Sequence, residues 1–138
     1  MAGITNRGKF LILKHVFNSL ALPSNFYVFL VTGTPDEDDN TMADVTEITE
    51  VGKEVSLSLN STDFDALTED DGNDKATIQI KDCAFAGPVT AATYAVLADG
   101  NSSSADEIYA FWSLGGAKSV SSGQTLTLQD LEIDLLNS

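Results

Sequence analysis

Positive charge is scarce in this chain: seven lysines and arginines stand against 21 aspartates and glutamates, a net charge of −14 at pH 7. Such a surface repels nucleic-acid phosphates and anionic lipid, which argues against DNA binding through a broad basic face. Cysteine is nearly missing. Cys83 stands alone, so no internal disulfide can form and the fold needs no oxidising compartment. His15 is the sole histidine, and together with Cys83 it gives two zinc-capable side chains, too few to build a zinc site. Long apolar runs are also lacking. The stretch from Phe10 to Leu22 is broken by Lys14, His15 and Asn18, far short of a spanning helix and a poor signal-peptide core. These absences predict a protein made in the cytoplasm, with no membrane or nucleic-acid partner and no required cofactor.

What is present suffices for one folded domain over residues 1–138, with 43% hydrophobic residues. The spacing predicts a helix over 5–20, with Phe10, Leu13, Phe17 and Leu20 on its buried stripe and Ile12 and Val16 widening it. Thr5 or Asn6 can cap its start, and Pro23 enforces a stop. Phe26–Thr32 reads as a strand covered on both faces, by the helix on one side and the core on the other. An acidic turn-rich loop, 34–41, and one helical turn around 42–48 follow. Alternation then marks strands at Val55–Leu59, at Ala76–Lys81 running on towards Phe85, and at Tyr94–Leu97 and Ile108–Leu114 around the polar loop 99–106. Near the C-terminus, Leu126 and Leu128 have opposite parity to Leu131, Ile133 and Leu135. A β-bulge at Gln129-Asp130 would restore one face; otherwise the chain bends there and changes sheets. The expected fold is mainly β: an antiparallel, jelly-roll-like sandwich over 24–138 with one N-terminal α-helix packed on it.

Candidate sites are few. Asp36, Asp38 and Asn40 occupy the first, third and fifth places of a calcium loop, and Glu47 the twelfth. Against calcium, Thr41 stands where such loops need glycine, and acidic turns between two elements are common without metal. A second acidic loop, Glu69–Asp74, carries the turn signals Asp71-Gly72 and Gly72-Asn73. Catalysis finds little support: any nucleophilic triad would have to use His15, no serine sits in a nucleophile elbow, and a lone thiol such as Cys83 in a strand usually behaves as a small core residue. Tyr109 and Trp112 fall on opposite faces of their strand, so one of them faces the core and the other is a candidate interface, unless both faces are covered. Arg7, Lys9 and Lys14 are the only charges among the first twenty residues. They either line the solvent face of the helix or, with residues 1–9 as a docking arm, attach an otherwise acidic body to an acidic partner. Asn60-Ser61-Thr62 and Asn101-Ser102-Ser103 fit the glycosylation pattern but carry no weight beyond loop chemistry without a secretory signal.

The segments Ala2–Lys9, Asn25–Tyr27, Ala66–Asp74, Tyr94–Leu97 and Ser122–Ile133, in that order, resemble a group of small structural proteins of tailed-phage particles. The resemblance implies a virion protein made in the host bacterial cytoplasm, with no catalytic residues, whose partners are the major capsid protein or tail proteins and copies of itself in a trimer or ring. A capsid decoration (cement) protein and a tail, connector or fibre component are both open under it. This chain lacks the glycine-rich insertion after Ile48 that the group leads one to expect. Outside that class stands a carbohydrate-binding β-sandwich, in which Tyr109 or Trp112 would line a groove at a loop end.

Overall fold

The computed structural model describes residues 2–136. Among them are β1 (Ala2–Ile4), α1 (Asn6–Phe17), β2 (Asn25–Thr32), a single 3₁₀ turn (Met42–Asp44), β3 (Thr46–Glu47), β4 (Val55–Ser58), β5 (Thr68–Asp70), β6 (Lys75–Ile80), β7 (Cys83–Ala86), β8 (Val89–Ala98), β9 (Ile108–Val120), β10 (Thr125–Leu128) and β11 (Leu131–Leu136). The larger sheet runs β1-β9-β8-β2-β3, with β4 beside β3 on the same edge of β2; all its pairings are antiparallel. Opposite it lie β7 paired with β10, and β6 flanked by β5 and β11. The architecture is the expected antiparallel sandwich with one N-terminal helix.

The smaller layer is one ribbon kinked in the middle. Ile80 pairs with Leu131 and Cys83 with Leu128, so Lys81-Asp82 faces Gln129-Asp130 across the kink. Asp130 adopts a left-handed backbone, with φ of 59°. Of the two outcomes open for the parity break, the chain takes the second: it bends and passes from one sheet to another. Leu128 and Leu131 both stay buried because the break on β10–β11 is matched by one on β6–β7.

Strand β2 is covered on both faces, though not as expected. Val28 and Leu30 join the main core with α1 and the ribbon, including Ile80, Phe85 and Leu131. Phe29 and Val31 point the other way and pack with Val96, Ile108 and Phe111. Met42 and Val45, from the loop that crosses this face, close over them. Helix and ribbon therefore share one side of the sheet, and the segment around the 3₁₀ turn, through Met42 and Val45, covers the other.

Several boundaries differ from expectation: β8 and β9 run well past the expected Tyr94–Leu97 and Ile108–Leu114, and two further differences fall near the N-terminus. The helix spans 6–17 rather than 5–20, with Thr5 as its N-cap and Asn18 as its C-cap, five residues before Pro23. Residues 2–9 are not a free arm. Ala2–Ile4 pair with Ala110–Trp112, and Asn6–Lys9 form the first turn of α1.

Candidate docking surface on the N-terminal helix

The placement of α1 is set by an irregularity in β9. The β8–β9 register pairs Leu97 with Ala110 but Ala98 with Ile108, leaving Tyr109 as an extra residue. A bulge of this kind inverts side-chain parity. Tyr109 accordingly joins Ala110 and Trp112 on the main-core side, while Ile108 and Phe111 pack on the other. The freed carbonyls meet the start of the helix. Thr5 donates its hydroxyl to the Ile108 carbonyl and its backbone amide to the Tyr109 carbonyl at 3.0 Å. The same hydroxyl oxygen accepts from the Gly8 amide at 2.8 Å, satisfying one of the unpaired donors at the helix start. Gly8 lies so close to the bulge that a Cβ there would sit 2.3 Å from the Tyr109 carbonyl oxygen. From the loop side, the Glu37 carbonyl accepts from the Asn6 amide and the Asp38 carboxylate from the Asn6 side chain, both at 2.8 Å. An acidic residue suits the positive end of a helix.

Pinned in this way, α1 turns Gly8, Leu11, Ile12 and His15 towards the sheet. The stripe expected to be buried faces outwards. Phe10 is 52% exposed, Leu13 58%, Val16 68% and Phe17 76%, whereas Leu11 is 4% exposed. Leu20, the last residue of that expected stripe, packs partly against the core after the helix has ended. Residues three and four apart are neighbours on a helix surface, so Phe10, Leu13, Val16 and Phe17 form one continuous ridge. Basic residues rim it. The Arg7 guanidinium and the Lys14 ammonium each lie 5.6 Å from the centre of the Phe10 ring, within cation–π range. Arg7 also pairs with Glu107 at 3.5 Å, while Lys9 and Lys14 make no ion pair among the described residues.

Beside the ridge opens an apolar cleft of about 310 Å³ between α1 and the ribbon. Ile12, Val16 and Leu22 form one wall and Leu67, Ile78 and Leu135 the other. His15 and Tyr109 lie at its floor. The Leu20 carbonyl can only accept, so His15 Nδ1 carries a proton towards it at 2.9 Å, and in the neutral ring Nε2 accepts from the Tyr109 hydroxyl at 2.9 Å. Burial, with Asp99 and Glu107 nearby, pushes the Tyr109 phenol well above its ordinary range. A neighbouring groove along Leu59, Phe64, Asp65 and Leu67 extends the cleft past the exposed Asp65, and exposed Glu69 stands on the edge strand β5 opposite Ala76 of the cleft lining.

The other candidates fare differently. Tyr109 and Trp112 are each only 5% exposed, so neither presents an open aromatic face on which a partner or a sugar could stack; Tyr109 contributes only to the floor of the cleft. Trp112 donates its indole N–H to the Glu132 carbonyl at 2.9 Å, tying the ribbon to the sheet. The calcium set does not assemble. Asp36 accepts from the Asp38 amide, Asp39 accepts from the Asp36 amide, Asp38 holds Asn6, and Glu47 is drawn into β3 opposite Val31. Asn40 donates its backbone amide to Asp44 instead of joining a ligand set. Among the described residues no three His, Cys, Asp or Glu side chains gather as a metal-holding group. The amides of Thr41 and Asn40 hold the Asp44 carboxyl below its usual range, as expected of a turn that uses its acids on its own backbone. Cys83 is fully buried and its thiol is pushed up to about 11 by burial beside Asp63 and Asp82. In the second acidic loop, Asp70 is held low chiefly by the Asn73 side chain and closes the turn at 70–73. No helix among the described residues is long and apolar enough to cross a membrane.

Sequence reasoning placed Arg7, Lys9 and Lys14 on α1 but missed Phe10, Leu13 and Phe17 as surface residues. One signal was available: Gly8, Leu11 and His15 repeat at three and four, and glycine in such a row marks close approach to another backbone. Comparison with protein-family models, with curated proteins and with solved structures finds no match for this chain.

Proposed function

We propose that this chain is a non-enzymatic structural protein of a tailed-phage particle, a capsid decoration protein that binds the shell and copies of itself. The observation that carries this reading is the apolar ridge of α1, held outwards by a capped, bulge-anchored helix and rimmed by cations on a chain of net charge −14. A monomer gains nothing from four large apolar side chains in water, whereas a binding protein gains a contact. An acidic body suits a particle surface crowded with copies that must stay soluble, and symmetry multiplies a weak contact into firm attachment. The two side chains best suited to chemistry are committed to structure, His15 through both ring nitrogens and Cys83 through burial.

Cryo-electron microscopy of intact particles of the phage that encodes this chain tests the reading. Density for the sandwich over capsomer junctions is the expected result. Density along the tail would replace decoration by a tail or connector role, and particles without the chain would overturn the reading.

A further inference from the structure

We infer that the ridge and the cleft of α1 are two halves of one copy-to-copy contact: in a two-fold dimer, the ridge of each copy seats in the cleft of the other. This rests on the assembly reading above and names the occupant of its contact surface.

Three observations select a second copy in this arrangement. The first is charge. The ridge carries Lys9 and Lys14, cations without an ion-pair partner among the described residues, and the far side of the cleft carries Asp65 in the neighbouring groove and Glu69 opposite Ala76 of the lining. Two copies of net charge −14 repel each other at long range. A contact that sets these two cations of one copy against acids of the other opposes this repulsion. Packing helix directly on helix would instead bring Lys9 and Lys14 of both copies together. The second is chemistry. The cleft walls are aliphatic, and the ridge offers Leu13 and Phe17, so both sides lose apolar surface to water on contact. The third is position. Val16 belongs to both ridge and cleft wall, so the two halves adjoin on one side of the molecule. Adjoining complementary patches close on themselves about a two-fold axis, with each residue's contact made twice and no surface left to propagate a chain. The trimer or ring suggested by the phage resemblance would need the two halves set well apart around the molecule.

The test uses the full chain and two charge variants, K9E/K14E on the ridge and D65K/E69K on the cleft lip, followed by analytical ultracentrifugation at low salt. Wild type is expected to be dimeric at micromolar concentration. Each variant alone should dissociate roughly 100-fold more readily, because like charges then face each other twice per dimer. Mixed one to one, the variants should form a heterodimer, since the introduced glutamates on the ridge of one copy meet the introduced lysines on the cleft lip of the other; this recovery also shows that both variants fold. Variants that pair as tightly alone as wild type, or that fail to recover when mixed, overturn the arrangement. Wild type that stays monomeric at all concentrations yet decorates particles overturns the dimer and leaves the assembly reading standing. A dimer never found in particles does the reverse.

Discussion

Strand β9 and helix α1 are both rich in large apolar residues, yet the molecule treats them in opposite ways. Five consecutive residues, Ile108–Trp112, are buried, with side chains divided between two cores. Along α1 only Gly8 and Leu11 are buried, and the larger side chains stand in water. A central strand has two faces and this fold covers both, by ribbon and helix on one side and by the crossing loop on the other. A helix at the margin of a sandwich has only one face to bury, so apolar residues elsewhere on it have no role within the monomer. The contrast teaches that hydrophobicity alone does not separate buried core from exposed surface; the anchoring geometry does.

Substitutions should divide along the same line. Phe111→Ala removes a fully buried ring from the second core, and chemical denaturation should show a loss of about 3–5 kcal/mol. A loss below about 1 kcal/mol would mean that the loop-covered face is not a true core. Gly8→Val drives a side chain into the Tyr109 carbonyl and should lift α1 from the bulge, with a loss of about 2–3 kcal/mol. Helix propensity alone would favour that substitution, so a stabilised variant would contradict the close approach. Thr5→Ala removes the cap and leaves the Ile108 carbonyl short of a donor; about 1–2 kcal/mol should be lost, with Thr5→Ser recovering most of it.

A smaller effect should appear with pH. Burial raises the Asp99 and Glu47 carboxyls above their ordinary values, Glu47 further through Glu54. Their contribution to stability is present at low pH and fades as pH rises through the raised values. Asp44, Glu50 and Asp70 are held low by hydrogen bonds, chiefly from the Thr41 amide, the Thr90 hydroxyl and the Asn73 side chain respectively. Their contribution disappears as pH falls through and below the ordinary carboxylate range. The melting temperature should therefore rise slightly from pH 7 to about pH 5 and fall below about pH 4. A steady fall from pH 7 downwards would contradict the burial of Asp99 and Glu47.

Much of the fold was legible because alternation is a strong signal where one face meets water. Val55–Leu57, Ile78–Ile80 and the parity break between Leu128 and Leu131 all announced themselves. The bulge at Tyr109 did not, because a parity change inside an unbroken aromatic run leaves no polar residue out of step. The helix was located correctly and its faces reversed for a similar reason: Phe10, Leu13 and Phe17 make a cleaner apolar stripe than Gly8, Leu11, Ile12 and His15, and only the bulge decides which stripe turns inwards. The calcium pattern of Asp36, Asp38, Asn40 and Glu47 failed because spacing along a chain does not guarantee convergence. Pairing with Val31 carries Glu47 into a strand, while Asp38 is taken by Asn6 at the start of the helix.

The central claim, that the outward stripe of α1 serves contact and not the core, is tested most directly by L13D/F17D, followed at once by thermal melting and by sedimentation. Surface substitutions away from structural features change stability by only about 0.5 kcal/mol, so the variant should melt close to wild type while losing its self-association. A variant that unfolds would return these residues to the core, and one that folds and still associates as wild type does would show that the stripe is idle.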